Sequence, residues 1–463
     1  MDPTPRADAV ERATPGDVIT LAMDLGPLPS QVGAILRFPG SPGGGEPAAL
    51  QRLVAERAGA IPRLRQRLVR SPLGCGPPVW VDDPGADPAS HVRLTSCPPP
   101  GDERALLDLA AAVMTTPLPS GRPLWSAVVV TGLADGGSAL LVVLHHVVAD
   151  GVGGLAVLAA LADGAPAPGP LRPARPAPAR RELAADAAAR RLLALRRLPS
   201  SLRSLRRWLR AAGGSRPRPA AACSVIGPVG SRRRYEVVRA EVAPLQAFAH
   251  RHGATVNDAV LLAVAAALSD LLASRDETVD PIALGVPVSP RRSTTVDRLG
   301  NQVAPILVPA PTTGDPPYRL EQIADAVRTG RAAAGQPPPA GIATVMWWAS
   351  RLGLLRRYMA AQRRMHTMIS SLHGPDRPIT LGGSPVVSIV PLVSAETGNV
   401  RVSFDVLSYA GTLTITTVAD PDTVPDLSAL TTALRAELAG LTGTAWQTDA
   451  DRAATEDATD VWG

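Results

Sequence analysis

The sequence predicts an α/β fold with mixed sheets, laid out in two comparable blocks at about 1–165 and 231–445. Three observations carry this. In both blocks short apolar runs rich in β-branched residues alternate with longer runs whose apolar positions recur at helical spacing. A Pro- and Arg-rich stretch separates the blocks. The 463 residues are enough for sizeable cores without disulfide or metal staples.

In the first block, 32–38 reads as a strand, and 48–58 and 106–115 as helices. Strands follow at 126–131 and 139–146, the second inside an apolar run that begins at Ser138, and a helix covers about 152–161. Segment 166–230 is a linker with two helical patterns split by Pro199. The second block restarts with a strand at 235–242 and helices at 244–252 and 256–272. Strands at 282–287 and 303–308, then helices at 320–334 and 346–361, come next. A late sheet region has strands at 386–391, 400–407 and 413–418, the last two joined by a turn at Tyr409-Ala410-Gly411, and a helix at 426–441 follows. The acidic tail, 446–463, is expected to be disordered.

Composition narrows the function. Apolar residues at 45% and charged residues at 19% describe a globular chain, and 3% aromatics argue against a nucleic-acid reader built on stacking. Three widely spaced cysteines (Cys75, Cys97, Cys223) suit neither a disulfide framework nor a zinc site, so a reduced cytosolic setting without metal is expected. The polar stretch 1–17 has no apolar h-region, so no secretory signal is expected. No stretch of about 18 uncharged apolar residues occurs, and the run Ala259 to Leu268 is closed by Ser269 and Asp270, so no transmembrane helix is expected.

The net charge of +6 hides an asymmetry. All 47 basic residues are Arg, and 17 of them fall between Arg172 and Arg234 against two acids, Glu182 and Asp186. That segment is +15 and the remainder −9. Within it Leu202, Leu205 and Leu209 form a stripe, beside Trp208, opposite Arg203, Arg206, Arg207 and Arg210. Three readings compete: a solvated helix pair packed through its Leu face, docking on an anionic membrane or lipid-droplet surface, and nucleic-acid binding. Nucleic acid is the weakest, because no binding-fold motif accompanies the charge.

The sharpest local signal is His145-His146-Val147-Val148-Ala149-Asp150-Gly151. By composition alone it is expected roughly once in a thousand such chains. Side chains alternate along a strand, so His145 and His146 face opposite ways and only one can enter a given cavity. A neutral imidazole is suited to taking a proton from a hydroxyl, which makes His146 the candidate base; His145 reads as a satisfied core imidazole. Asp150 can cap the following helix or hold a charge pair, and Gly151 permits close approach of a ligand. Thr255-Val256-Asn257-Asp258 has the form of a capping box. Arg291, just after the strand ending near Pro287, is on its own evidence equally a solvated surface cation, and Gly300 before Asn301 suits a positive-φ turn.

The run from His145 to Gly151 resembles the signature of the CoA-dependent acyltransferase superfamily, which includes chloramphenicol acetyltransferase and peptide-synthetase condensation domains. Further matches resemble one branch, the bacterial wax ester synthase/acyl-CoA:diacylglycerol acyltransferase family. They are Arg122-Pro123-Leu124-Trp125, Val256-Asn257-Asp258-Ala259, Pro287-Val288-Ser289 with Arg291, Leu299-Gly300-Asn301-Gln302, Leu407-Ser408-Tyr409 with Gly411, and Ala419-Asp420. Their order fits that family over about 15–440. Two stretches depart from its pattern: Ser370-Ser371-Leu372-His373-Gly374-Pro375 carries Ser371 for Asn and His373 for Pro, and Pro117-Leu118-Pro119-Ser120 lacks an Asp.

The resemblance implies two chloramphenicol-acetyltransferase-like domains with an active-site channel between them. It implies fatty acyl transfer from acyl-CoA, as co-substrate and with no bound cofactor, to a lipid alcohol: diacylglycerol or a long-chain alcohol. A condensation-type enzyme using a carrier-protein thioester, or a non-catalytic lipid-binding paralogue, are the alternatives. His146 would be the base, Asp150 would pair with Arg291 to hold the motif loop, and Asn257, Asp258 and Asn301 would shape the site. A cytoplasmic protein held peripherally at the inner face of the membrane or at lipid inclusions is expected. The oligomeric state is left open.

Overall fold

The computed structural model describes residues 10–24, 26, 28–40, 46–165, 174–196, 219–289, 295–296, 299–333, 340–394 and 398–443. The second basic helix expected at 202–210, Arg291 and the tail at 446–463 lie outside these residues.

The chain begins with α1 (Pro15–Met23), β1 (Gln31–Phe38), α2 (Pro47–Ala60), β2 (Gln66–Val69), β3 (Val79–Asp82), β4 (Val92–Ser96) and α3 (Glu103–Thr115). It continues through β5 (Trp125–Thr131), β6 (Ser138–His145), α4 (Gly151–Leu161) and α5 (Arg180–Arg196). The second half opens with β7 (Arg234–Glu241), α6 (Val242–Arg251), α7 (Val256–Ala273), β8 (Ile282–Val288) and β9 (Ala304–Ala310). Then follow α8 (Pro316–Ala333), α9 (Ala340–Arg351), α10 (Leu354–Ala360) and β10 (Thr367–His373). The two-residue strands β11 (Thr380–Leu381) and β12 (Ser384–Pro385) precede β13 (Ser388–Val393), β14 (Val402–Tyr409), β15 (Thr412–Ala419) and α11 (Leu427–Thr442).

Two mixed sheets organise the molecule. The first has the order β13-β1-β6-β5-β4, with only β4 and β5 parallel; the second has the order β7-β15-β14-β10-β8-β9, with β10 parallel to both β14 and β8. One face of the first sheet packs on α2 and α4, and the other on α3. The second sheet buries α7 and α11. Helix α7 is apolar on nearly every side because it is the core of that half; it is long and apolar enough to cross a membrane by composition, but is mostly buried in protein.

The chain departs from the sequence reading in several places: α1, β2, β3, β4 and β10 have no counterpart in it, and three of the expected elements are arranged differently. Strand β13 was expected beside β14 and β15. It leaves their sheet and pairs antiparallel with β1, Ile35 opposite Val390, so the second half of the chain completes the first sheet. Its side chains are buried almost throughout, and such a strand carries no pattern that says which sheet it joins. The helix expected at 346–361 is two helices, broken at Gly353, whose φ of +70° is left-handed. The last hairpin turns on Ala410 and Gly411 alone, both at positive φ, with Tyr409 paired to Thr412. The described part of the basic linker, α5, packs on the protein: Leu183 joins Cys75, Val79 and Val81, and Asp186 accepts from buried Arg12 at 2.5 Å.

Candidate active site

Strand β6 ends at His145, and the chain turns before α4 begins. Two backbone bonds fix that turn: His145 N–H donates to the Leu124 carbonyl, and His146 N–H to that of Ser30. Leu124 is itself held by its neighbour Trp125, which is fully buried, donates from Nε1 to the Leu64 carbonyl at 2.9 Å and stacks on His91. The Arg122-Pro123-Leu124-Trp125 stretch thus anchors the motif turn from below.

The two histidines part at this turn. The His145 ring is buried against α1, with Nδ1 accepting from Val147 N–H at 3.1 Å and Nε2 3.2 Å from Asp24 Oδ2. An Nδ1 that accepts carries no proton, so Nε2 donates to the carboxylate and the ring is the neutral tautomer. His146 points the other way, into a cavity of about 1720 Å³ between the two sheets. The walls are mostly apolar and come from both halves of the chain, with Leu144, Leu158 and Met23 on one side and Ile306, Met368 and Leu407 on the other. Ligand pockets commonly occupy roughly 300–1,000 Å³, so this cavity has room for a long chain and a second substrate.

Asn301 sets the state of the His146 ring. Its Nδ2 lies 3.1 Å from Asp17 Oδ1, 2.8 Å from the His146 carbonyl and 3.4 Å from that of Val147. All three are acceptors, so only the NH₂ end can sit there, and Oδ1 must face the ring. That Oδ1 is 2.9 Å from His146 Nδ1, which is therefore the protonated nitrogen. Nothing among the described residues hydrogen-bonds Nε2, which is left with its lone pair. Burial pushes the pKa of His146 below its ordinary 6.5; its own backbone carbonyl, Asn301 and Asp150 oppose this without overcoming it. The neutral ring is the form present at neutral pH.

Asp17 closes the arrangement. It is buried near the start of α1 and accepts from both the backbone and the side-chain amide of Asn301, each at 3.1 Å. Its second oxygen accepts from Thr14 N–H in a capping box. Gly300, at φ +119°, makes the turn that brings Asn301 under Asp17. Asp17 and Thr14 were not read as site residues. The Thr14-Pro15-Gly16-Asp17 sequence carries the signal for a helix start, but not for what that start touches.

Asp150 is fully buried. One oxygen caps α4 through Gly153 N–H at 2.9 Å; the other accepts from Gln302 N–H at 3.0 Å. It ties the motif loop to the 299–302 segment of the second half. The expected partner Arg291 lies outside the described residues. Gly151 lines the cavity, and a Cβ there would meet the Leu372 side chain at 2.8 Å. Asn257 and Asp258, expected to shape the site, do not line the cavity: Asp258 accepts from Thr255 in a capping box of its own and sits within the core of the second half. In the stretch 370–375, Ser370 and Leu372 line the cavity, whereas Ser371 and His373, which alternate with them on β10, do not.

Comparison with known proteins agrees with this architecture. Residues 14–260 match the model of the wax ester synthase/diacylglycerol acyltransferase catalytic domain, and 299–442 that of the WS/DGAT C-terminal domain. A Mycobacterium tuberculosis protein named as a probable diacylglycerol O-acyltransferase, tgs1, is 32% identical over 441 residues, 92% of this chain and 91% of that protein. Among solved structures, the wax ester synthase/diacylglycerol acyltransferase from Marinobacter aquaeolei VT8 superposes with a TM-score of 0.65 at 22% identity, covering 93% of this chain and all of that one. The first condensation domain of the CDA synthetase gives 0.63 at 18% identity, covering 94% and 97%. With two domain models matched in order along most of its length, this chain belongs to the wax ester synthase/diacylglycerol acyltransferase family.

Proposed function

We propose that this protein transfers a fatty acyl group from acyl-CoA to the hydroxyl of a lipid alcohol, with His146 as general base. The single observation that carries the reading is the unprotonated Nε2 of a neutral, Asn301-held imidazole on the wall of a large apolar cavity.

The chemistry balances on this one ring. Nε2 takes the proton of the acceptor hydroxyl as its oxygen attacks the thioester carbonyl and a C–O bond forms. The tetrahedral intermediate then collapses, the C–S bond breaks, and the CoA thiolate takes the proton back from Nε2. The products are an ester and free CoA. The acceptor is activated directly, so no acyl-enzyme and no cofactor enter the scheme; acyl-CoA is a co-substrate. Asn301 positions the base, Asp17 positions Asn301, and Asp150 and Gly151 hold the loop that presents it. His145 is a structural member of the motif.

Diacylglycerol is the proposed acceptor, since the relative matched over nine-tenths of the chain carries that name; a long-chain alcohol, giving wax ester, is the second. We further propose that the protein works in peripheral contact with the cytoplasmic face of a membrane or with lipid inclusions, where an insoluble acceptor is reached. The test is an acceptor screen with labelled palmitoyl-CoA, offering diacylglycerol and hexadecanol, with free CoA and labelled lipid followed together. The proposal expects one CoA released per labelled ester. CoA release without ester would mean hydrolysis and would defeat the proposal, whereas turnover only with a carrier-protein thioester would support the condensation-type reading instead.

A further inference from the structure

Helices α9 and α10 turn apolar residues in two directions. Inward, Ile342, Met346, Leu355 and Met359 line the cavity, and Leu355 and Met359 pack on Ala22 of α1. Outward, Val345 is 68%, Trp348 51%, Leu352 70% and Leu354 54% exposed. Nowhere else among the described residues do four large apolar side chains stand so far into solvent within ten positions. Exposed apolar patches of this kind mark a surface that meets a partner.

Charge says which partner. From 340 to 375 the chain carries five Arg (351, 356, 357, 363 and 364) and no acid. Arg351, Arg356 and Arg357 are exposed beside the apolar residues. A strip of Trp and Leu flanked by cations matches the boundary of an anionic bilayer, where headgroups meet the Arg and acyl chains meet the apolar side chains. A protein partner would have to supply an acidic rim around an apolar centre; an anionic lipid surface supplies both everywhere. The same two helices thus carry both the exposed strip and part of the cavity wall.

We propose that the α9–α10 hairpin docks the protein on an anionic lipid surface and forms the edge over which the lipid alcohol enters the cavity. The entry half of this proposal rests on the acyltransferase reading above; the docking half stands without it.

The experiment uses the full chain and phosphatidylcholine vesicles with or without phosphatidylglycerol, at low and high salt. Two variants are compared: Arg351→Gln/Arg356→Gln/Arg357→Gln, and Trp348→Ser/Leu352→Ser. None of these residues lines the cavity. The wild-type protein should co-sediment with the anionic vesicles. The Arg variant should lose at least about tenfold in binding at low salt, the regime where surface attraction is least screened. The Trp/Leu variant should lose the binding that survives high salt. Both should transfer acyl groups to a soluble short-chain alcohol at the wild-type rate, and both should fall about tenfold with diacylglycerol held in vesicles, in step with their binding. Unchanged sedimentation in both variants would overturn the proposal, as would self-association lost in the Trp/Leu variant without any vesicle binding. Wild-type protein that binds vesicles but acylates no alcohol would sink the acyltransferase reading and the entry half, while leaving docking in place.

Discussion

Asn301 Oδ1 lies 2.9 Å from His146 Nδ1, and the amide cannot be turned round, because its NH₂ end is surrounded by the Asp17 carboxylate and two backbone carbonyls. The tautomer of the base is therefore set by a residue from the other half of the chain, and that residue is set by the first turn of α1. Removing the amide should cost catalysis more than folding. Asn301→Ala is expected to lower kcat about 10- to 100-fold, the loss of one hydrogen bond to the reacting group. Because that bond raises the pKa of His146, the acidic limb of the pH–rate profile should also move down in the variant. A kcat loss with an unmoved limb would mean Asn301 acts only as a structural link.

The wild-type pH profile has a definite sign. Burial holds His146 below 6.5, so the base stays neutral, and kcat/KM should stay level, until the pH has fallen below that value. Stability follows the same group. The unfolded ring binds its proton near 6.5 and the folded ring only at lower pH, so stability drops as pH falls through this window. Denaturant titrations of wild type and His146→Ala across that range should differ by this contribution, which the variant lacks. Parallel curves would contradict it.

Gly16 tests how tightly α1 is docked. Replacing a helical Gly by Ala usually stabilises by roughly 0.5–1 kcal/mol. Here a Cβ would stand 2.0 Å from the Asn301 backbone oxygen, far inside any real contact. Gly16→Ala should reverse the usual sign, lowering the melting temperature and, by pushing Asn301 away from His146, kcat as well. A stabilised, active variant would show that α1 has freedom to move.

Asp150→Ala removes a helix cap and the acceptor for Gln302 N–H. A loss of about 1–3 kcal/mol in unfolding free energy is expected, the scale of one cap plus one buried bond. The proposed Asp150–Arg291 pair is read from a double-mutant cycle with Arg291→Gln. Coupling beyond about 0.5 kcal/mol supports the pair, and simple additivity opposes it.

Much of this was legible in the sequence because local chemistry encodes it. The run from Ser138 to His146 is continuous and apolar as a strand buried on both faces must be, and the Thr255–Asp258 box marks the start of α7 as written. The position of β13 was not legible, since a strand buried on both faces looks the same in either sheet. Nor was Asp17, which sits 284 residues from Asn301: a capping box reports a helix start and is silent on the long-range contact its carboxylate makes. Asn301 was named among the site residues through resemblance, but its hold on Nδ1 follows only from the assembled geometry. Asn257 and Asp258, named on the same grounds, sit away from the cavity because their segment is the cap of a core helix.

The central claim is that one neutral imidazole activates the acceptor hydroxyl directly. It is tested most directly by mixing His146→Ala and wild-type protein separately with labelled palmitoyl-CoA and diacylglycerol, and measuring labelled ester, free CoA and protein-bound label over the same time course. The account predicts equal amounts of ester and CoA from wild type with no label on the protein. It predicts a drop of about 10²–10⁴ in the rate for His146→Ala, with an unchanged melting temperature above pH 7. Wild-type rates from the variant, or label retained covalently on the protein, would contradict it.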